Sequence, residues 1–180
     1  SIDINPGFSD ILISEKVKYN IRVAARASVP TQFSFNEGTL FRKSIQVPAV
    51  NLYNPTGTFA EITDSTGTIE VGSASPVYDI SFINNGETGA YGWLDYVKLK
   101  ARRSNIFTGK TTQFFDSRSV SEGRITEFTI SSAISDPVIW DVSDPINIKA
   151  IQYVRSGEAN KFKTVSDSLR TFVVFTHNKA

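Results

Sequence analysis

Between residues 19 and 29 the chain reads YNIRVAARASV. Tyr19, Ile21, Val23, Ala25, Ala27 and Val29 occupy alternate positions, and Asn20, Arg22, Arg26 and Ser28 fall largely between them. A strand sends successive side chains to opposite faces, so this spacing gives one apolar and one polar face, the pattern of a half-buried β-strand. Similar short runs recur as TQFSFN, TLFRKSIQV, GTFAEIT, GTIEV, VYDISFI, GWLDYVKLKARR, TTQFF, RITEFTIS, PVIWDV, IKAIQYV and LRTFVVF. NPTG (54–57), DSTG (64–67), NNGETG (84–89) and the SDP triplets at 135–137 and 143–145 punctuate them as turn signals. Only PGFSDILISEKVKY, with Phe8, Ile11 and Leu12 at helical spacing, predicts a short helix. Many short strands with no helices between them predict an all-β fold, an antiparallel β-sandwich of jelly-roll or Greek-key type.

The 180 residues, 40% of them hydrophobic, suit one domain over residues 1–180. A chain of this size buries roughly 70% of the surface it exposes when unfolded. It has no cysteine, which removes disulfides, thiolate metal sites and a cysteine nucleophile. Nineteen Lys+Arg against eighteen Asp+Glu leave a net charge of +1, so nothing draws the whole chain to nucleic acid, and any electrostatic function is a local patch. No apolar run approaches the roughly 20 residues of a membrane-spanning helix. The chain has no methionine, from which we expect a segment excised from a larger multidomain protein.

Catalytic chemistry finds little foothold. The one histidine, His177, sits just past the last apolar run, a poor place for a rigidly held base. The phosphate-cradling patterns GxGxxG and GxxxxGK[ST] are absent, and one-dimensional spacing selects no pair of carboxylates. No cofactor is expected, apart from an oxygen-ligated calcium ion for which Asp64 (in DSTGT) and Asp116 (in FFDSRS) are candidate ligands. Neither stretch has the dense carboxylate spacing of a dedicated calcium loop, and the simpler reading of both is an Asx-type turn.

Binding chemistry concentrates in GWLDYVKLKARR, residues 92–103. Strict alternation places Trp93, Asp95, Val97, Leu99 and Ala101 on one face and Leu94, Tyr96, Lys98, Lys100 and Arg102 on the other. Val97, Leu99 and Ala101 are then expected to close the core from a central or near-central strand. Asp95 would lie at a rim or be held by an arginine such as Arg103, and Trp93 and Trp140 are expected as core or interface anchors. Tyr96, Lys98, Lys100, Arg102 and Arg103 become the candidate contacts for a neighbouring domain or a ligand, Tyr96 offering a ring on which a sugar could stack. The plainer alternative is that the cations keep an exposed face or sheet edge soluble.

GWLDYVKLKARR, FTGKTTQFFDSRS, RITEFTISSA, VIWDVSDPINIK and DSLRTFVVF, in that order across residues 91–176, resemble the region preceding the caspase-like catalytic domain in gingipain-type peptidases of family C25. Within that family the likeness is to the sortase of the type IX secretion system. The first half of the chain matches only in strand character. The resemblance implies a non-catalytic β-sandwich accessory domain on the extracellular side of a bacterial outer membrane. Its partners would be a downstream peptidase domain in the same chain and, through that domain, secreted cargo proteins or lipopolysaccharide. The family's catalytic Cys and His have no counterpart in these residues. A glycan- or lipopolysaccharide-binding module is the alternative.

Overall fold

A computed structural model describes residues 1–177. It is an all-β sandwich architecture of four sheets, with no closed barrel. Where the sequence reading draws one domain over residues 1–180, the backbone gathers into two compact units, Ser1–Ser104 and Asn105–Ala180, each with a core of its own. No linker composition marks the junction, because both flanking residues are already bonded into a unit. The Ser104 N–H donates to the Asp10 carbonyl at 2.8 Å, and the Asn105 carbonyl accepts from the Ser131 N–H at 2.9 Å.

The first unit contains β1 (Ile2–Ile4), β2 (Val17–Arg26), β3 (Thr31–Glu37), β4 (Leu40–Val47), β5 (Glu61–Ile69), β6 (Tyr78–Ile83) and β7 (Tyr91–Lys100). One sheet has the order β1-β6-β3-β4 and the other β5-β2-β7, all antiparallel. Spatial neighbours are mostly non-consecutive, so the chain crosses repeatedly between the sheets. The alternation read in residues 19–29 holds through Ala27, with Tyr19, Ile21, Val23, Ala25 and Ala27 buried, whereas Val29, past the end of β2, is exposed. The β2 residues among them pack in one cluster with Phe33, Phe35, Ile45, Val47, Tyr78 and Ile80 of the facing sheet. Each large apolar side chain so buried contributes about 2 kcal/mol.

The second unit contains β8 (Ile106–Phe107), β9 (Thr112–Phe115), a 3₁₀ turn (Ser117–Ser119), β10 (Ile125–Ser132), β11 (Pro137–Asp141), β12 (Lys149–Ala150), β13 (Val154–Ser156), β14 (Ala159–Val165) and β15 (Thr171–Thr176). Its sheets run β13-β14-β10-β8 and β12-β11-β15-β9, antiparallel except for the short parallel pairing of β8 with β10. Phe114, Phe128, Phe162 and Phe172 form its centre, with ring centroids 4.9–6.4 Å apart. The WDVSDP string is a structural clamp. Asp141 accepts from the N–H (2.9 Å) and hydroxyl of Ser143, whose oxygen accepts from the Thr171 N–H (2.9 Å), while Arg170 lies 3.8 Å from Asp141.

Three expectations are corrected here. Residues 6–16 form no helix. Gly7 and Asp10 have positive φ, and the N–H groups of Ile11 and Leu12 are taken by the carbonyls of Ala74 and Arg102. DSTG is not a turn but the middle of β5, laddered to β2 from Glu61 to Ile69, with Gly67 leaving room for the Tyr19 ring. Nor is β7 central or near-central: it is an edge strand of its sheet, as β5 is on the other side of β2.

Two substitutions test this packing. A Cβ on Gly92 would lie 2.4 Å from the Phe82 ring, so Gly92→Ala is expected to cost about 1–3 kcal/mol in urea unfolding, largely recovered by adding Phe82→Leu. The Tyr78 hydroxyl is buried with no hydrogen-bond partner, and burial, with Glu37 nearby, pushes its phenol up from 10.0 to about 12. A raised value favours the protonated fold, so this stability is complete below pH 10.0 and is lost as pH rises through about 12. Tyr78→Phe should match the parent at neutral pH or exceed it by up to about 1 kcal/mol, with an advantage that grows across that alkaline window.

Candidate functional site

The outer face of the β5-β2-β7 sheet carries the unusual side chains of the first unit. Cross-strand register sets them in rows: Thr68, Lys18 and Lys100; Thr66, Asn20 and Lys98; Asp64, Arg22 and Tyr96; Ile62, Ala24 and Trp93. Arg26 beside Tyr91 ends the series. The face therefore grades from lysines at one end, through a polar middle, to aromatic and aliphatic groups at the other.

A β-bulge produces this grouping. Arg22 pairs with Tyr96 but Val23 with Leu94, which leaves Asp95 as the extra residue. One inserted residue reverses the side-chain phase beyond it. The faces read from strict alternation are thus corrected: Leu94, Val97, Leu99 and Ala101 pack on the core, and Trp93, Tyr96, Lys98 and Lys100 share the outside. The core role of Val97, Leu99 and Ala101 stands. Trp93 is no core anchor, being 42% exposed, and Trp140 packs edge-on against Phe175 while remaining partly exposed.

In the polar middle, Arg22 grips Asp64 with two parallel hydrogen bonds, Nε to Oδ1 at 2.8 Å and Nη2 to Oδ2 at 3.1 Å. The Tyr96 hydroxyl donates toward Asn20 (3.3 Å) and Asp64 (3.4 Å). The Arg22 hydrogen bonds hold the Asp64 carboxyl below its ordinary value, and Asp64 raises Arg22 in return. Asp95, expected at a rim or held by an arginine such as Arg103, is exposed, and the arginine beside it is Arg22, at 3.9 Å. The Tyr96 ring is already occupied: the Arg22 guanidinium is 5.4 Å and the Lys98 ammonium 4.7 Å from its centroid.

At the apolar end Tyr91 stacks on Trp93 at 6.1 Å, and Phe59 lies 6.3 Å from Trp93. Arg26 pins Phe59 by donating to its carbonyl at 2.7 Å and lying 4.5 Å from its ring centroid. The sequence reading missed Phe59, Ile62, Tyr91, Arg22 and Arg26. The polar half of the alternation in β2 was the available signal for the two arginines.

Of the five candidate contacts, Tyr96, Lys98 and Lys100 share this face. Arg102 is partly buried 3.9 Å from Glu15, and its carbonyl accepts from Leu12. Arg103 is exposed beyond β7, its backbone bridging to Ile11. For the calcium candidates, the carboxylate of Asp64 is engaged by Arg22, and Asp116 caps the 3₁₀ turn by accepting from the Arg118 N–H at 2.8 Å. Among the described residues no group of three or more His, Cys, Asp or Glu is placed to hold a metal ion, and no helix is long and apolar enough to cross a membrane.

No family model matches the chain, and no curated protein matches it in sequence. The fold is similar to part of the crystal structure of dimeric latent PorU from Porphyromonas gingivalis, with a TM-score of 0.71 at 13% identity. The match covers 99% of this chain and 18% of that one, so it extends across the first half, where the sequence likeness was only in strand character. At this identity the likeness is one of fold.

The Arg22–Asp64 pair generates a prediction with a definite sign. A depressed carboxyl value stabilises the fold above the ordinary aspartate value of 3.8, and this is lost as pH falls through the lower folded value. Asp64→Asn should therefore be less stable than the parent at neutral pH and low salt. The two should converge as pH falls below 3.8 and through the lower folded value, and also in about 1 M NaCl, as measured by urea unfolding, because the pair is exposed and screened.

Proposed function

We propose that residues 1–180 are a non-catalytic accessory region of a larger PorU-like cysteine peptidase or sortase, which supports or positions a downstream peptidase domain at the bacterial cell surface. The observation that carries the reading is the fold match, which takes in nearly all of this chain and a minor part of a much longer one. The ordered strings of residues 91–176 and the lack of cysteine agree with a supporting role, the nucleophile being supplied elsewhere in the parent protein. Secreted cargo proteins and lipopolysaccharide would be handled by that downstream domain. The glycan-binding alternative, which rests on Tyr96, Trp93 and the basic strand end, is weaker at Tyr96, whose ring has two of the chain's own cations beside it.

Peptide mapping and intact mass of the native protein test this directly. The expected result is a chain that continues past Ala180 into a caspase-like segment with a His followed by a Cys. Deleting residues 1–180 from that protein should then lower the peptidase domain's melting temperature, by about 3 °C for each kcal/mol of lost support. A native chain without such a segment, or a peptidase domain equally stable and active after the deletion, would overturn the proposal.

A further inference from the structure

At the aromatic end of the outer face Phe59 is 67%, Ile62 63%, Tyr91 63% and Trp93 42% exposed. These four residues form a contiguous patch around Ala24, which register places between Ile62 and Trp93, so a one-carbon side chain sits between two large ones. Single exposed apolar residues are ordinary, but a contiguous cluster marks an interaction site. The composition specifies the kind. Tyr, Trp, Phe and Arg grouped together are what protein-binding surfaces concentrate. The rings pack on one another and on Arg26, so they form an apolar platform and not separate open ring faces of the sort a sugar chain stacks on.

Charge supplies the rest. The outer face and its bulge carry Lys18, Arg22, Arg26, Lys98 and Lys100 against Asp64 and Asp95, a cationic excess that the whole chain, at +1, does not have. Arg22 is matched by Asp64, whereas Lys18 and Lys100 lie directly opposite one another across β2 and β7. Like charges at facing positions are unfavourable by themselves and are relieved by a carboxylate arriving from outside. The same charge opposes pairing of this face with itself in a second copy.

We infer that the outer face of the β5-β2-β7 sheet is the docking surface for a neighbouring domain of the same longer chain. That domain presents an apolar side chain to the Ala24 dip, between Ile62, Trp93 and Tyr91, and an acidic patch to Lys18, Lys98 and Lys100. This rests on the accessory reading above and names the surface through which support would be given. Electrostatic complementarity orients the contact, and the aromatic patch supplies the desolvated centre.

The experiment is zero-length carbodiimide coupling, which joins lysine amines to carboxylates, in the intact native protein, with hydroxyl-radical footprinting of Tyr91 and Trp93 alongside. The expected result is cross-links from Lys18, Lys98 or Lys100 to Asp or Glu residues beyond Ala180 of the same chain. Radical labelling of Trp93 and Tyr91 should be several-fold slower in the intact protein than in the separate 180-residue chain. The cross-links should disappear in a Lys98→Glu/Lys100→Glu variant and the Tyr91 protection in Trp93→Ser, all three being outward positions that leave the core untouched. Intact-protein labelling as fast as in the separate chain would overturn the docking surface while leaving the accessory reading standing. Cross-links only to other molecules or to a second copy would do the same. Protection abolished by periodate or a glycosidase, with no carboxylate cross-links, would replace the domain with a carbohydrate. A native chain with nothing beyond Ala180 would sink the accessory reading itself, and intact mass reports that separately.

Discussion

The first unit depends on the sealed inner face of β2. Tyr19, Ile21, Val23 and Ala25 lie against Phe33, Phe35, Ile45, Val47, Tyr78 and Ile80, and that apolar contact holds the two sheets together. Because β2 is the middle strand of its sheet, burying its inner face also commits the opposite face, with Lys18, Asn20, Arg22, Ala24 and Arg26, to the outside. The platform that gives the unit a surface of its own is the reverse side of its core.

The edge strand β7 shows how one local irregularity serves several ends. Its bulge and its lysines discourage other strands from adding to the open edge. The same bulge turns Leu94, Val97 and Leu99 inward while gathering Trp93, Tyr96, Lys98 and Lys100 outside. Gly92 lets the strand pass directly over the Phe82 ring. The second unit is held differently, by a column of phenylalanines and by polar clamps at its loops. Arg155 donates to the carbonyls of Ser132, Ile134 and Ser135, and Ser166 is buried against the Ser119 carbonyl and the Thr126 hydroxyl.

Much of the fold was legible where it rests on local periodicity. Alternation located β2 and its buried face, the NPTG and NNGETG strings mark real turns, and the absence of a chemically competent histidine or cysteine arrangement directed attention to binding. DSTG misled because Asp, Ser and Gly favour turns in isolation, whereas nine residues of ladder with β2 and the grip of Arg22 on Asp64 outweigh that preference. The helix expected in PGFSDILISEKVKY failed for a related reason, since the N–H groups of Ile11 and Leu12 are claimed by carbonyls distant in sequence.

The sequence by itself determined that this chain is all β, that β2 has one dry face, and that these residues carry no cysteine chemistry, because side-chain period and residue inventory are local properties. Only the tertiary structure decided that Asp95 is the inserted residue of a bulge, that β7 lies at an edge, and that Phe59 and Tyr91 meet Trp93 beside Arg26, with Ile62 across Ala24. Those outcomes depend on cross-strand register. Register is a relation between segments as far apart as Arg22 and Tyr96, and a single inserted residue reverses which face every later side chain occupies.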